Sequence, residues 1–275
     1  MRFVILCQEE PVFLGPVLRR VLEMRPQGVV AVVVAGTRSA GERRRTWRER
    51  WTSLCTFWLI FEPRGFFAAL CVRLGARLAG AGGRRSIAGT ARRLGIPVHE
   101  LAHPKAADLV ALLQTLAPDV VLNQSEMLLT KDVLAVPCIG FINRHASLLP
   151  RFRGRMGAFR SHAAPDPSYG VTIHFVDEGI DTGPIVLQQE FPDVDPCWTY
   201  PRVMHRVCAT APEMIWRALD LLASPDFRLL PNCLPDGAPP EKAFAFPSLA
   251  EALEYRRRLA MRRRAQGTAA GPRGS

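Results

Sequence analysis

The stretch Gly28-Val-Val-Ala-Val-Val-Val-Ala-Gly36 has no polar side chain in nine residues. A strand with one wet face alternates apolar and polar residues. This one does not, so both of its faces must be covered. A parallel sheet sandwiched between helices meets that demand. Residues 2–8, 97–101, 119–124 and 138–145 read as further strands. Between them, residues 11–24, 87–96, 105–117 and 130–135 have helical spacing. Strands and helices alternating at these lengths predict an open, mostly parallel α/β sheet flanked by helices.

After residue 150 the pattern changes. Residues 154–164 read as a helix. "YGVTIHFVDEG" (169–179) and "GPIVLQQEFP" (183–192) alternate apolar and polar residues across a tight acidic turn, so they should pair antiparallel. A long helix follows over 199–224, then a Pro-rich stretch, then a basic helix over 248–264. Residues 265–275 are low in complexity and are expected to be disordered.

The net charge is +11, nearly all of it arginine. That balance suits either a polyanion surface or a GC-rich coding bias. Seven cysteines without a C-x-x-C pair point to reduced thiols in a cytoplasmic protein, with no disulfide frame and no metal site. The N-terminus is too short in apolar run for a signal peptide. The segment from Ser53 to Gly80 is apolar but broken by Glu62, Pro63 and Arg64. It falls short of the roughly 20 uninterrupted residues of a membrane span. Two apolar helices are expected there, about 52–62 and 65–80, inside an inserted region (37–84) that begins with a basic, tryptophan-containing stretch. They must be covered by the domain beside an acceptor cleft, by a second subunit in a homodimer, or by lipid.

In open α/β sheets, ligands gather outside the carboxyl ends of the strands. There the sequence places Gln124-Ser125-Glu126, then Asn143 and His145, with Asp181 in the acidic turn. Asn143 and His145 are two apart and so share a side of an extended strand. An amide beside an imidazole suits an oxygen that gains negative charge, and an aspartate can orient the imidazole or take a proton. No serine or cysteine sits in a nucleophile elbow, which favours direct acyl transfer between bound substrates. His174 alternates within a strand and reads as structural or pocket-lining. His205 and Cys208 read as packing, and His99 and His103 have no partner pattern.

"NRHASLLPRFRG" (143–154) resembles the N-x-H-x-S-L-L-P signature of the folate-dependent formyltransferases, and "GVTIHFVDEGIDTGPIVLQQ" (170–189) resembles their second signature, a D-x-G turn with the catalytic aspartate. The likeness covers roughly residues 1–36 and 86–222. It implies an open Rossmann-like fold and a catalytic domain over 1–225, followed by a C-terminal extension (226–264). It implies 10-formyltetrahydrofolate as donor and a primary amine as acceptor. Asn143 and His145 would polarise the formyl oxygen, and Asp181 would position His145 and assist proton removal. Met127, Leu128 and Leu129 would flank the pterin, with Gly179 and Ile180 opposite. Arg153 is a candidate substrate contact.

The purine-pathway relatives cradle a phosphate in a glycine-rich first loop. Here that loop is "CQEEPVFLG", and Glu9 and Glu10 would repel phosphate but attract a cationic amine. A small-molecule or natural-product amine is therefore the expected acceptor, as in antibiotic or sugar N-formylation. The alternatives are an aminoacyl-tRNA acceptor, suggested by the basic 37–51 segment and the basic last helix, transfer of a formimidoyl unit, hydrolysis of the formyl donor, or a non-catalytic RNA-binding module.

Overall fold

The computed structural model describes residues 1–36, 46–80, 83, 85–102, 105–234 and 242–269. Seven strands form one sheet in the order β3-β2-β1-β4-β5-β6-β7. They are β1 (Phe3–Cys7), β2 (Val29–Ala35), β3 (Val98–Leu101), β4 (Val120–Gln124), β5 (Gly140–His145), β6 (Gly170–Phe175) and β7 (Ile185–Glu190). β1 to β5 run parallel. β6 is antiparallel to both β5 and β7. The strand order reverses between β1 and β4, so a crevice for ligands is expected at the carboxyl ends of these central strands.

The two-sided apolar strands divide their side chains between two cores. Phe3, Ile5, Cys7 and Val32 pack on one face with helices α1 (Leu14–Met24), α3 (Ile87–Arg93) and α7 (Tyr200–Leu222). Val4, Leu6, Ala31 and Val33 pack on the other with α4 (Ala106–Leu116) and α5 (Lys131–Leu134). A third cluster joins α2 (Trp47–Ala79), α6 (Gly157–Ala163), α7 and α8 (Leu249–Ala269) through Ile60, Phe61, Phe159, Tyr200, Tyr255 and Leu259.

Two expectations change. The last helix does not stop at 264: residues 265–269 continue α8, so the expected disordered tail is helical at its start. The basic stretch 37–45 and His103 lie outside the described residues. The second change concerns α2. It is the one helix among the described residues that is long and apolar enough, by length and composition, to cross a membrane. The sequence break is nevertheless real. Glu62 sits at φ 59°, outside helical geometry, just before Pro63, and splits α2 into the two expected arms. Both Arg256 and Arg263 of α8 pair with the Glu62 carboxylate, which ties the bend to the C-terminal helix.

His162 of α6 is fully buried, with Nδ1 2.8 Å from Tyr169 Oη and Nε2 3.1 Å from the Trp198 carbonyl. Burial lowers its pKa to about 4, against the pull of the Trp198 carbonyl. The unfolded chain therefore binds this proton first as pH falls below about 6.5, and stability is lost between there and pH 4. The expected cost by pH 4 is about 3 kcal/mol from this group. Urea unfolding at pH 7 and at pH 4 measures it, and His162→Gln should flatten the difference by that amount.

Candidate active site

β5 delivers Asn143 and His145 to the carboxyl end of the sheet. Asp181 comes from the turn joining β6 to β7 and takes a left-handed backbone, φ 52°. Several contacts hold that turn. The Asp177 carboxylate accepts from the Gly179 N–H (3.1 Å) and from the Thr182 hydroxyl (2.5 Å). Asn232, from the Pro-rich extension, donates to the carbonyls of Asp181 (3.0 Å) and Gly183 (2.8 Å).

The three side chains converge. His145 Nδ1 lies 3.4 Å from Asp181 Oδ2, and Asn143 Nδ2 donates to Asp181 Oδ1 at 3.5 Å. The Gly154 N–H donates to Oδ2 at 2.7 Å. A fourth group joins them. His174 lies across the β5–β6 ladder from Asn143, with Nε2 3.4 Å from Asp181 Oδ1 and 3.4 Å from Asn143 Nδ2. Sequence reasoning gave His174 no part in the chemistry. Its signal was the period-two alternation of β6, which needs the antiparallel register before it points anywhere.

The Asn143 amide is fixed from behind. Gln124 Nε2 donates to its Oδ1 at 2.5 Å, while Gln124 Oε1 accepts from Arg144 Nε at 3.1 Å. With its oxygen engaged there, the Asn143 N–H₂ faces Asp181. Gly157 lets α6 abut the imidazole: a Cβ there would lie 2.6 Å from His145 Nε2.

Burial lowers the His145 pKa, against the opposing pull of Asp181, so the imidazole is neutral at pH 7. Its Nε2 lies 2.9 Å from the Phe152 carbonyl and, in the neutral ring, carries the one N–H. Nδ1 then presents a lone pair toward the Asp181 carboxylate. Burial also works against the charge of Asp181, but His174, His145 and the Gly154 N–H outweigh it and hold the carboxyl well below the usual range. An ionised carboxylate and an unprotonated ring nitrogen thus face each other with no proton between them. That space can accept one proton.

The other sequence candidates fall into two groups. Leu128 and Ile180 are 86% and 50% exposed, apolar side chains open to cover by a flat ring. Met127 and Leu129 pack on the core beneath them. The Lys131 ammonium 3.1 Å from Glu178 ties this segment to the Asp181 turn, with Gly179 exposed on that turn. Arg153 Nε donates to the Ile180 carbonyl at 2.8 Å.

Glu9 and Glu10 do something else. Glu9 accepts from the N–H groups of Ile87 (3.1 Å) and Ala88 (2.8 Å) at the start of α3. Glu10 accepts from those of Val12 (3.0 Å), Phe13 (2.7 Å) and Leu14 (2.9 Å) at the start of α1. Both carboxylates are helix caps, a use the sequence reading did not foresee.

Residues 83–219 match the family model described as formyl transferase. Methionyl-tRNA formyltransferase of Aromatoleum aromaticum is 36% identical over 139 residues, 50% of this chain and 44% of that protein. The Magnetococcus marinus enzyme of the same name is 44% identical over 96 residues, 34% of this chain and 31% of that protein. The matches thus span less than half the length of these relatives. Among solved structures, glycinamide ribonucleotide transformylase 1 from Symbiobacterium toebii superimposes with a TM-score of 0.56 at 20% identity, covering 84% of this chain and 93% of that one. A sugar N-formyltransferase from Shewanella sp FDAARGOS_354 gives 0.52 at 15% identity, covering 93% and 86%. At such identities these two likenesses speak for the fold alone. With the fold, the two signatures and the family match in agreement, the chain belongs to the folate-dependent formyltransferase family, whose members take the formyl group from 10-formyltetrahydrofolate.

Proposed function

We propose that this chain transfers a formyl group from 10-formyltetrahydrofolate to the primary amine of a small-molecule or natural-product acceptor. The observation that carries the reading is the proton-accepting gap between neutral His145 and ionised Asp181, next to the fixed Asn143 amide. When bound, the folate would supply an electrophilic formyl carbon beside Asn143, with its pterin flanked by the Met127–Leu129 segment and the Gly179–Ile180 turn. The Asn143 N–H₂ donates to the formyl oxygen as it gains charge on attack by the amine. The His145–Asp181 pair takes the proton leaving the amine. A carbon–nitrogen bond to the acceptor forms, the bond to the folate nitrogen breaks, and that nitrogen regains a proton. The residues thus act by orientation and proton handling, with no covalent intermediate on the protein.

The acceptor class rests on Glu10. Its carboxylate already takes the free N–H groups at the start of α1, so a phosphate has no donors left there. This favours an acceptor without a phosphate in that loop.

An aminoacyl-tRNA acceptor is the second reading, favoured by the names of the curated relatives. Against it, several arginines of the basic α8 are engaged within the protein. Arg256 and Arg263 pair with Glu62, and Arg258 and Arg262 donate to carbonyls of Ala163, His162 and Ala164.

The test is incubation with 10-formyltetrahydrofolate and a panel of amino sugars, amino acids and peptides, with methionyl-tRNA in parallel and mass spectrometry of products. A formylated small amine is the expected result. Formylation of the tRNA alone would establish the second reading. Folate turnover with no formylated amine would instead mark a hydrolase.

A further inference from the structure

Among the described residues, half of the exposed large apolar side chains lie on α2. Trp47, Trp51, Leu54 and Trp58 recur at i, i+4, i+7 and i+11 on its first arm. Phe67, Leu70, Leu74 and Leu78 recur at i, i+3, i+7 and i+11 on its second. Each series makes one stripe along a helix. All eight side chains are between 38% and 81% exposed. The bend joins the stripes, because the Trp58 ring meets Phe66 at 5.3 Å and Phe67 at 5.6 Å. Every residue from Leu70 to Gly80 is exposed. The root of the helix is buried: Thr56, Ile60 and Phe61 pack into the body, and Phe61 lies 5.4 Å from Tyr200. The expected packing on the domain therefore holds for the root and not for the outer part of the second arm.

Charge says what covers this surface. Residues 63–79 carry Arg64, Arg73 and Arg77 and no acidic residue, in a chain of net charge +11. At 100° per residue, Arg73 and Arg77 fall along one edge of the second stripe and Arg64 along the other. An apolar stripe bordered by arginines, continuous with exposed tryptophans, is the composition of helices that lie in a membrane interface. A second copy of the chain would bring the same arginines against each other, which opposes pairing.

We propose that the bent helix Trp47–Ala79 docks this protein on an anionic lipid bilayer surface, with its two arms lying in the headgroup region. The arms do not cross. The longer one, Pro63–Ala79, has 17 residues and is about 25 Å long, less than the hydrocarbon thickness of about 30 Å. Its base is anchored in the protein core, and Arg73 lies 3.7 Å from Glu10, which holds the arm beside the loop leaving β1. That loop is at the same sheet end as Asn143 and His145, since β1, β4 and β5 are parallel.

The test is co-sedimentation of the full chain with vesicles of phosphatidylcholine alone and of phosphatidylcholine with one-third phosphatidylglycerol. No formyl donor is present, so the outcome is independent of the proposed reaction. The expected result is partition onto the anionic vesicles, weakened by salt and about tenfold or more weaker on the neutral ones. The combined variant Leu70→Gln, Leu74→Gln, Leu78→Gln changes only exposed positions. It should keep its thermal unfolding temperature and lose about 100-fold in partition. Wild-type protein left in the supernatant with anionic vesicles overturns the proposal, as does a variant that binds as well as the wild type. A stable dimer that ignores vesicles and falls apart in the variant also overturns it and makes the second copy the occupant.

Discussion

Asp181→Asn is expected to lower turnover about 100- to 10,000-fold, the range of a lost general base, while the protein stays folded. The amide matches the carboxylate in shape. With its oxygen at the Oδ2 position it can still accept from the Gly154 N–H, now at 2.7 Å, which puts its N–H₂ at the Oδ1 position, 3.4 Å from His174 Nε2. The geometry of the cluster is thereby kept, and what disappears is the proton acceptor. In the wild type, burial lowers the His145 pKa, so the acid limb of the rate profile should fall below about pH 6.5, where an exposed histidine titrates. Asp181→Asn should leave the affinity for a folate analogue nearly unchanged, because Leu128 and Ile180, the proposed pterin contacts, are untouched. Asn143→Ala removes the donor instead and should cost roughly 100- to 1,000-fold. Stopped-flow rates, analogue binding and thermal unfolding of the two variants separate these effects. A fall in unfolding temperature that tracks the loss of rate would assign the cluster a structural role and sink the catalytic reading.

The sheet was legible because its strands are apolar on both faces. In β1, successive residues go to opposite cores, Phe3 and Ile5 to one and Val4 and Leu6 to the other, and no polar residue interrupts them. The antiparallel β6–β7 pair was legible from alternation across a short turn. The β5–β6 pairing was not, because strand order is a matter of packing and not of local pattern. With that pairing missing, His174 read only as structural or pocket-lining and could not be placed beside Asn143 and Asp181. Asn143, His145 and Asp181 were readable through two sequence signatures. Their environment was not: Gln124, Phe152 and Gly157 become neighbours only after folding. The same limit explains Glu9 and Glu10. Two consecutive acids in a loop look solvated until the starts of two helices, one of them almost 80 residues away in sequence, are brought over them. It also explains the arginines of α8: their charge is plain in the sequence, but the contacts of Arg256 and Arg263 with Glu62 and of Arg258 and Arg262 with internal carbonyls are not.

Gly154→Ala tests whether the C-terminal extension is part of the catalytic apparatus. Gly154 has φ 89°, a region costly for any residue with a Cβ. A Cβ there would lie 2.4 Å from the Phe244 carbonyl oxygen. That carbonyl accepts from the Arg155 N–H at 2.9 Å, and the Phe244 N–H donates to the Arg153 carbonyl at 2.8 Å. Alanine must push these two strands of backbone apart or distort the turn. Backbone strain of about 1–2 kcal/mol and two weakened hydrogen bonds at about 1 kcal/mol each give an expected loss of roughly 3 kcal/mol. For a chain of this size that is a fall of roughly 6–12 °C in unfolding temperature. Gly95→Ala is the control. It shares a positive φ, 73°, but a Cβ there meets nothing within 4 Å. It should cost only about 1 kcal/mol and leave turnover alone. Gly154→Ala should also lower turnover about tenfold or more, because the Gly154 N–H is the shortest hydrogen bond on Asp181, and a displaced carboxylate no longer faces His145 Nδ1. If the two variants lose the same stability and neither loses turnover, the pairing of Arg153–Arg155 with Phe244 holds nothing in place, and the extension is only an appendage to the site.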